Sequence, residues 1–136
     1  MVLVDDAAMA ALNRTYRGIA GPTDVLAFPM TEGQFRRITP DLLGDVVICT
    51  ETARRQARMR RGDLRGELAL LLVHGVLHLV GYDHGTAAER RDMRRMEQHI
   101  LAACGIRIPA RVRVAATAPR RERPPSERST RRGMRR

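Results

Sequence analysis

Three of the four histidines in this chain, His74, His78 and His84, lie close together in the sequence. Residues four apart on a helix lie one turn above each other on the same face, so His74 and His78 can direct ring nitrogens at one ion. Gly81 can end that helix in the left-handed conformation, and the reversed chain can bring His84 back to the ion. Three protein ligands that leave a fourth tetrahedral position for water are typical of catalytic zinc. The pattern therefore predicts one zinc ion on these three histidines.

The same spacing, H-x-x-x-H-x-x-G-x-x-H, occurs in metzincin proteases, which carry a glutamate directly after the first histidine as general base. In this chain Gly75 occupies that position. Peptide hydrolysis by the protease route therefore lacks its base and is a minor alternative. Zinc can still lower the pKa of bound water toward about 7, which makes hydroxide available without the glutamate.

The stretch from His74 to His84 resembles the signature HGxLHLxGYDH of the YbeY family of bacterial endoribonucleases, also called rRNA maturation factors. Two further stretches extend the resemblance to roughly residues 2–105: residues 12–29, containing LNRTYRG and PTDVLAFP, and residues 43–49, LGDVVIC. The resemblance implies an α/β fold with zinc on the three histidines and hydrolysis of phosphodiester bonds in single-stranded RNA. It also implies a role in ribosomal RNA maturation and ribosome quality control. The expected partners are ribosomal RNA and the small ribosomal subunit, with ribosomal proteins or an assembly GTPase as further candidates.

The resemblance also gives Arg17 a catalytic role, as the cation near the phosphate oxygens during RNA cleavage. A guanidinium can bind phosphate in a bidentate manner and stabilise developing charge. The sequence alone favours a different role for Arg17, that of a cation that interacts with the dipole at the C-terminus of its helix. Near the motif, Asp83 is a candidate acceptor for a histidine N–H, with a loop cap as its alternative. Glu67 could orient a ligand, although a solvated or capping carboxylate is favoured, and His99 is expected to be no ligand.

The net charge of +10 is concentrated at one end of the chain. Residues 109–136 contain ten Arg and two Glu, whereas residues 1–108 are nearly balanced. We therefore expect a folded domain over residues 1–108 and a disordered Arg-rich tail over residues 109–136. The tail could bind RNA by counterion release, or it could reflect an Arg-biased composition that only solubilises the chain. The two cysteines lack metal spacing, and no secretory or membrane segment is evident, so a cytoplasmic protein is expected.

The hydrophobic pattern predicts an α/β (α+β) fold, a small mixed sheet packed with helices, in which a central buried helix carries the metal motif. Relative to the resembling family, a strand and a helix ahead of Val2 are expected to be missing. A loop is expected at residues 33–40. Strands are predicted at residues 2–4, 24–30 and 45–49. Helices are predicted from Asp5 or Asp6 to about Arg17, from Thr50 to about Arg61, from Leu64 to about Val80 and from Thr86 to about Cys104. Their expected caps are Asp5 or Asp6, Thr50, Asp63 and a capping box of Thr86 and Glu89. The core face of the last helix is expected to carry Met93, Met96, Ile100 and Leu101.

Two other functional classes remain open. The chain could be a non-catalytic ribosome-assembly factor stabilised by a structural metal, or a metal-dependent hydrolase of another substrate, including peptides. An open ligand position with Arg17 facing it would count against the first.

Overall fold

The computed structural model describes residues 1–30 and 42–108. The predicted loop at residues 33–40 and the predicted Arg-rich tail at residues 109–136 lie outside this part. The described elements follow the order β1 (Val2–Val4), α1 (Asp6–Arg17), β2 (Val25–Pro29), β3 (Gly44–Cys49), α2 (Thr50–Met59), α3 (Leu64–Leu79) and α4 (Ala87–Ala103).

The three strands form one mixed sheet in the order β1-β3-β2. β1 pairs with β3 in parallel, and β2 pairs with β3 in antiparallel orientation. The predicted α+β class, a small mixed sheet packed with helices, is confirmed.

Alternation along the strands divides the core into two clusters, because successive side chains in a strand point to opposite faces. Val46 and Ile48 of β3 pack with Leu71 and Leu79 of α3 on one face. On the other face, Val47 and Cys49 pack with Met9 of α1. The sheet is therefore a middle layer, with α1 on one side and α3 on the other.

Side chains that satisfy backbone amides set the starts of three helices. Asp5 Oδ1 accepts a hydrogen bond from Ala8 N at 2.8 Å, and Asp63 Oδ1 accepts one from Gly66 N at 2.7 Å. Thr86 and Glu89 form the predicted capping box at the start of α4. The prediction that Thr50 caps α2 is wrong: Cys49 is the cap residue, and the Thr50 hydroxyl donates to the Val4 carbonyl at 3.3 Å.

α3 is the central helix of the fold. It contacts β2, β3, α2 and α4, as expected for a helix that is apolar over most of its circumference. Over residues 1–30 and 42–108, none of the helices has both the length and the apolar composition needed to cross a bilayer. The two cysteines are free, Cys49 buried and Cys104 exposed.

Candidate metal centre

The last turns of α3 place two histidine rings together. His74 and His78 are one turn apart, and their Nε2 atoms are 3.2 Å from each other. Their rings meet edge to face with centroids 4.7 Å apart. The i, i+4 spacing therefore has the predicted effect.

The turn after α3 brings in the third histidine. Gly81 has φ +99°, a left-handed conformation that glycine adopts without strain. Gly81 N donates to His78 O at 3.1 Å and Tyr82 N donates to Leu77 O at 2.9 Å, which is the bond pattern of a Schellman motif. Because the chain reverses here, the ring centroid of His84 lies 4.8 Å from that of His78.

Together, the three rings form a group that could hold a metal ion. One ring nitrogen from each of His74, His78 and His84 lies within 4.8 Å of the others. Tetrahedral coordination with bonds of 2.0–2.1 Å separates ligand nitrogens by about 3.4 Å. The 3.2 Å between His74 and His78 already fits this geometry. In the described part of the chain, the buried Nδ1 of His84 has no hydrogen-bond partner, as expected of a nitrogen available to an ion.

Burial keeps the ring of His78 in the neutral form that binds metals. The pKa of His78 is lowered to about 4, first because burial disfavours the charged ring and then because His74 and His84 lie nearby. A neutral imidazole keeps a lone pair on one nitrogen, and that lone pair is what coordinates a metal. At neutral pH, His78 is therefore in the neutral form that can coordinate a metal ion.

The packing around Gly75 explains why the position after the first histidine cannot hold the glutamate that serves as general base in the proteases. A Cβ at Gly75 would lie 2.6 Å from Val46 Cγ1 and 3.4 Å from Val25 Cγ2. The position faces the sheet, and it lets α3 approach β2 and β3 closely. A glutamate here would be directed into the sheet, so the HExxH arrangement does not fit this packing.

A buried glutamate on α4 contacts the cluster, and the sequence analysis missed it. Glu97 is 8% exposed, and its Oε1 lies 2.7 Å from His74 Nδ1. The core face of α4 was predicted from its apolar residues alone, which left this residue out. Its spacing could have predicted its burial, because Glu97 lies one turn from each of the buried residues Met93 and Leu101.

The two other acidic candidates have different surroundings from those expected. Glu67 is 5% exposed rather than solvated, and its Oε1 accepts a hydrogen bond from Arg60 Nη1 at 2.6 Å. Burial raises the pKa of Glu67, an effect that Arg60 opposes. Glu67 is thus half of a buried ion pair and not the favoured solvated or capping group.

Asp83 mainly shapes the loop that carries His84. Its Oδ1 accepts a hydrogen bond from the backbone N–H of His84 at 2.7 Å, which is the largest cause that lowers the pKa of Asp83. The same oxygen lies 3.4 Å from His84 Nδ1, longer than an ordinary N–H···O bond. The side chain is 66% exposed. His99 is exposed on α4, as expected for a residue outside the site.

Arg17 is the last residue of α1 and is half-buried. α1 and α3 pack on opposite faces of the sheet, but they end at the same end of it. Tyr16 contacts Phe28 with ring centroids 4.9 Å apart. A Cβ at Gly44 would lie 2.9 Å from Leu79 Cδ2 and 2.2 Å from the Phe28 carbonyl oxygen. The structure therefore brings the two helix ends to one end of the sheet, and the catalytic role of Arg17 stays a prediction.

Comparisons with known proteins identify the family of this chain. A family model described as endoribonuclease YbeY matches residues 1–105. Proteins named endoribonuclease YbeY from Moorella thermoacetica and Pelotomaculum thermopropionicum are each 50% identical, over 79% and 74% of this chain and 72% and 68% of their own lengths. One of the same name from Mycobacterium leprae is 45% identical over 74% of this chain and 60% of its own length.

Among solved structures, the solution structure of TM1509 from Thermotoga maritima is 28% identical with a TM-score of 0.49, covering 76% of this chain and 67% of that one. The family match spans more than half of the present sequence. The regions matched in the first two relatives make up more than two thirds of each relative's length and are 50% identical to this chain. On these sequence matches, the chain belongs to the endoribonuclease YbeY family.

Proposed function

We propose that this chain is a zinc-dependent endoribonuclease that cleaves single-stranded RNA in ribosomal RNA maturation and ribosome quality control. The observation that carries the proposal is the convergence of His74, His78 and His84 in a chain of this family. The three rings are the metal ligands in this proposal, with one zinc ion per chain.

Zinc suits the donor set, because neutral imidazoles in tetrahedral geometry are among its commonest ligands, and when bound it supplies a Lewis acid that stabilises negative charge on oxygen. The chain supplies the rest. The lowered pKa of His78 means that this ligand need not lose a proton on binding near neutral pH. The left-handed Gly81 fixes the reversal that lets His84 join the two helical ligands.

Arg17 is proposed as the charge partner of the scissile phosphate. A guanidinium can donate two parallel hydrogen bonds to phosphate oxygens and stabilise the charge that grows on them in the transition state. The assignment comes from the family resemblance. It is supported by the position of Arg17 at the end of the sheet where α3 also ends.

The proposed substrate is ribosomal RNA on or near the small ribosomal subunit, with ribosomal proteins or an assembly GTPase as possible partners. This substrate would place the protein in the cytoplasm, where ribosomes mature. Residues 109–136, with ten Arg and two Glu, carry most of the net positive charge. Basic residues there would add affinity for any RNA, independently of its sequence.

Two observations count against the other functional classes. Structural zinc sites usually have four protein ligands, whereas the group found among residues 1–30 and 42–108 has three. A peptidase that uses a glutamate after its first histidine does not fit, because Gly75 faces Val46 at close range.

A cleavage assay tests the proposal. The wild type, with zinc added, should cut a single-stranded RNA and leave a duplex of the same sequence intact, and His78→Ala should abolish cutting. His99→Ala is the matched control, since His99 is exposed and lies outside the cluster. Cleavage by His78→Ala at the wild-type rate would contradict the proposal, as would equal loss in both variants.

A further inference from the structure

Glu97 is a buried carboxylate whose contact reaches the metal centre from a different helix. It lies on the core face of α4, between Met93 and Leu101, which are both buried. Its Oε1 lies 2.7 Å from Nδ1 of His74. His74 is itself buried, so the contact is shielded from water on both sides.

The chemistry of this contact decides which nitrogen of His74 faces the ion. An ionised carboxylate only accepts hydrogen bonds, so the ring must donate its Nδ1–H to Glu97. The proton is then held on Nδ1, and the lone pair of the neutral ring lies on Nε2. Nε2 is the atom that lies 3.2 Å from His78 Nε2, on the side where the three rings converge.

A purely structural origin explains this glutamate poorly. Burying a carboxylate among apolar side chains costs free energy, and a well-packed apolar residue of similar volume is often as stable or more stable. The neighbours of Glu97 along its helix face, Met93 and Leu101, are apolar and buried, so a methionine at this position would continue the same row.

We propose that Glu97 is a positioning residue of the metal centre: it fixes the tautomer and orientation of His74 and adds negative charge beside three neutral ligands. This inference rests on the proposed binding of zinc by His74, His78 and His84. Carboxylates that accept the second N–H of a ligand histidine typically contribute 10- to 100-fold to metal affinity.

Zinc affinity of purified protein, measured by competition with a chromophoric chelator, tests the inference. Glu97→Gln removes the charge but keeps an acceptor, so we expect a loss of about tenfold. Glu97→Met removes both, so we expect a loss of up to about 100-fold. Metal-free Glu97→Met should unfold at nearly the wild-type temperature, whereas a merely structural glutamate would lower it.

Glu67→Gln is the matched control, because Glu67 is a second buried glutamate whose partner is Arg60 and not a histidine. It should lower stability and leave zinc affinity nearly unchanged. Nitrogen-15 NMR of the metal-free protein gives a second readout: the Nδ1–H form of His74 should dominate in the wild type and lose population in Glu97→Gln.

The outcomes separate the two proposals. Should the wild type bind no zinc, or His78→Ala bind it equally well, the metal centre itself is wrong. Should His78→Ala lose zinc while folded Glu97→Met binds as tightly as the wild type, only the role of Glu97 is overturned. Were Glu97→Met unable to fold, unchanged zinc affinity and an unchanged His74 tautomer in Glu97→Gln would overturn it equally.

Discussion

Two groups of polar side chains lie toward opposite ends of the sheet, and they are built differently. The Asp6 cluster, which joins Asp6 to Cys49, Thr52 and Arg55, lies where β3 ends. Arg55 donates to both carboxylate oxygens of Asp6 at 2.7 and 2.9 Å, and Thr52 and Cys49 donate to Oδ1 at 3.1 and 3.0 Å. The carboxylate is matched by donors from its own chain, and the Arg55 bond holds the pKa of Asp6 well below its usual range.

The histidine cluster, formed by His74, His78 and His84, brings together three groups of the same kind. Neutral imidazoles that converge present lone pairs that cannot all satisfy one another. Glu97 contacts Nδ1 of His74, and Nε2 of the same ring points toward His78. A cluster of paired opposite charges joins elements of the fold, whereas three converging imidazoles form a group that could hold a metal ion from outside the chain.

The largest expected effect is the loss of metal from the histidine cluster. His84→Ala should release most of the zinc, because two ligands from one helix cannot hold the ion as three do. Elemental analysis after dialysis measures this, with about one zinc per chain in the wild type. His99→Ala should retain the wild-type content. Full retention in His84→Ala would show that the third ligand is assigned wrongly.

Next in size is the effect of Arg17. Arg17→Ala should reduce RNA cleavage by roughly 10²-fold, the scale for losing one group that stabilises transition-state charge. Zinc content and melting temperature should stay at wild-type values. Arg14→Ala, an exposed arginine on the same helix, is the control that separates a specific role from general loss of positive charge. An equal decrease in both variants, or none in Arg17→Ala, contradicts the catalytic assignment.

A smaller effect is expected where α3 meets the sheet. Gly75→Ala places a methyl group against Val46, and overpacking of this kind typically costs about 1–3 kcal/mol. Urea unfolding of the metal-free protein measures it. In the double variant Gly75→Ala, Val46→Ala, the loss of unfolding free energy should be smaller than the sum of the losses in the two single variants. The smaller side chain at position 46 leaves room for the methyl group added at position 75. Additive costs would show that Gly75 does not serve this close approach.

The Asp6 cluster should respond to acid and not to zinc. Because the pKa of Asp6 is lowered in the folded state, its ionised form stabilises the fold above the unfolded pKa of about 4. That stability is lost as the pH falls through the lower folded pKa. Asp6→Asn should therefore flatten the acid side of the stability curve and leave zinc content at pH 7 unchanged. A loss of zinc would show that the two clusters are coupled.

The sequence predicts the local parts of the site well. The i, i+4 spacing of His74 and His78 and the turn at Gly81 depend on backbone geometry within eleven residues, and the structure confirms how they converge. The spacing from Met93 and Leu101 could have placed Glu97 on the buried face of α4. Its contact with His74 depends instead on how α4 packs against α3, which no local pattern specifies. The burial of Glu67 has the same origin, since its partner Arg60 lies before the start of its helix.

Titration of zinc into the metal-free wild type, with RNA cleavage as the readout, tests the central claim most directly. The account predicts no cleavage without metal, a linear rise on addition of zinc, and saturation at one zinc per chain. Cleavage that is complete in the metal-free protein, or that zinc never restores, would contradict the claim that the three histidines hold the ion on which the reaction depends.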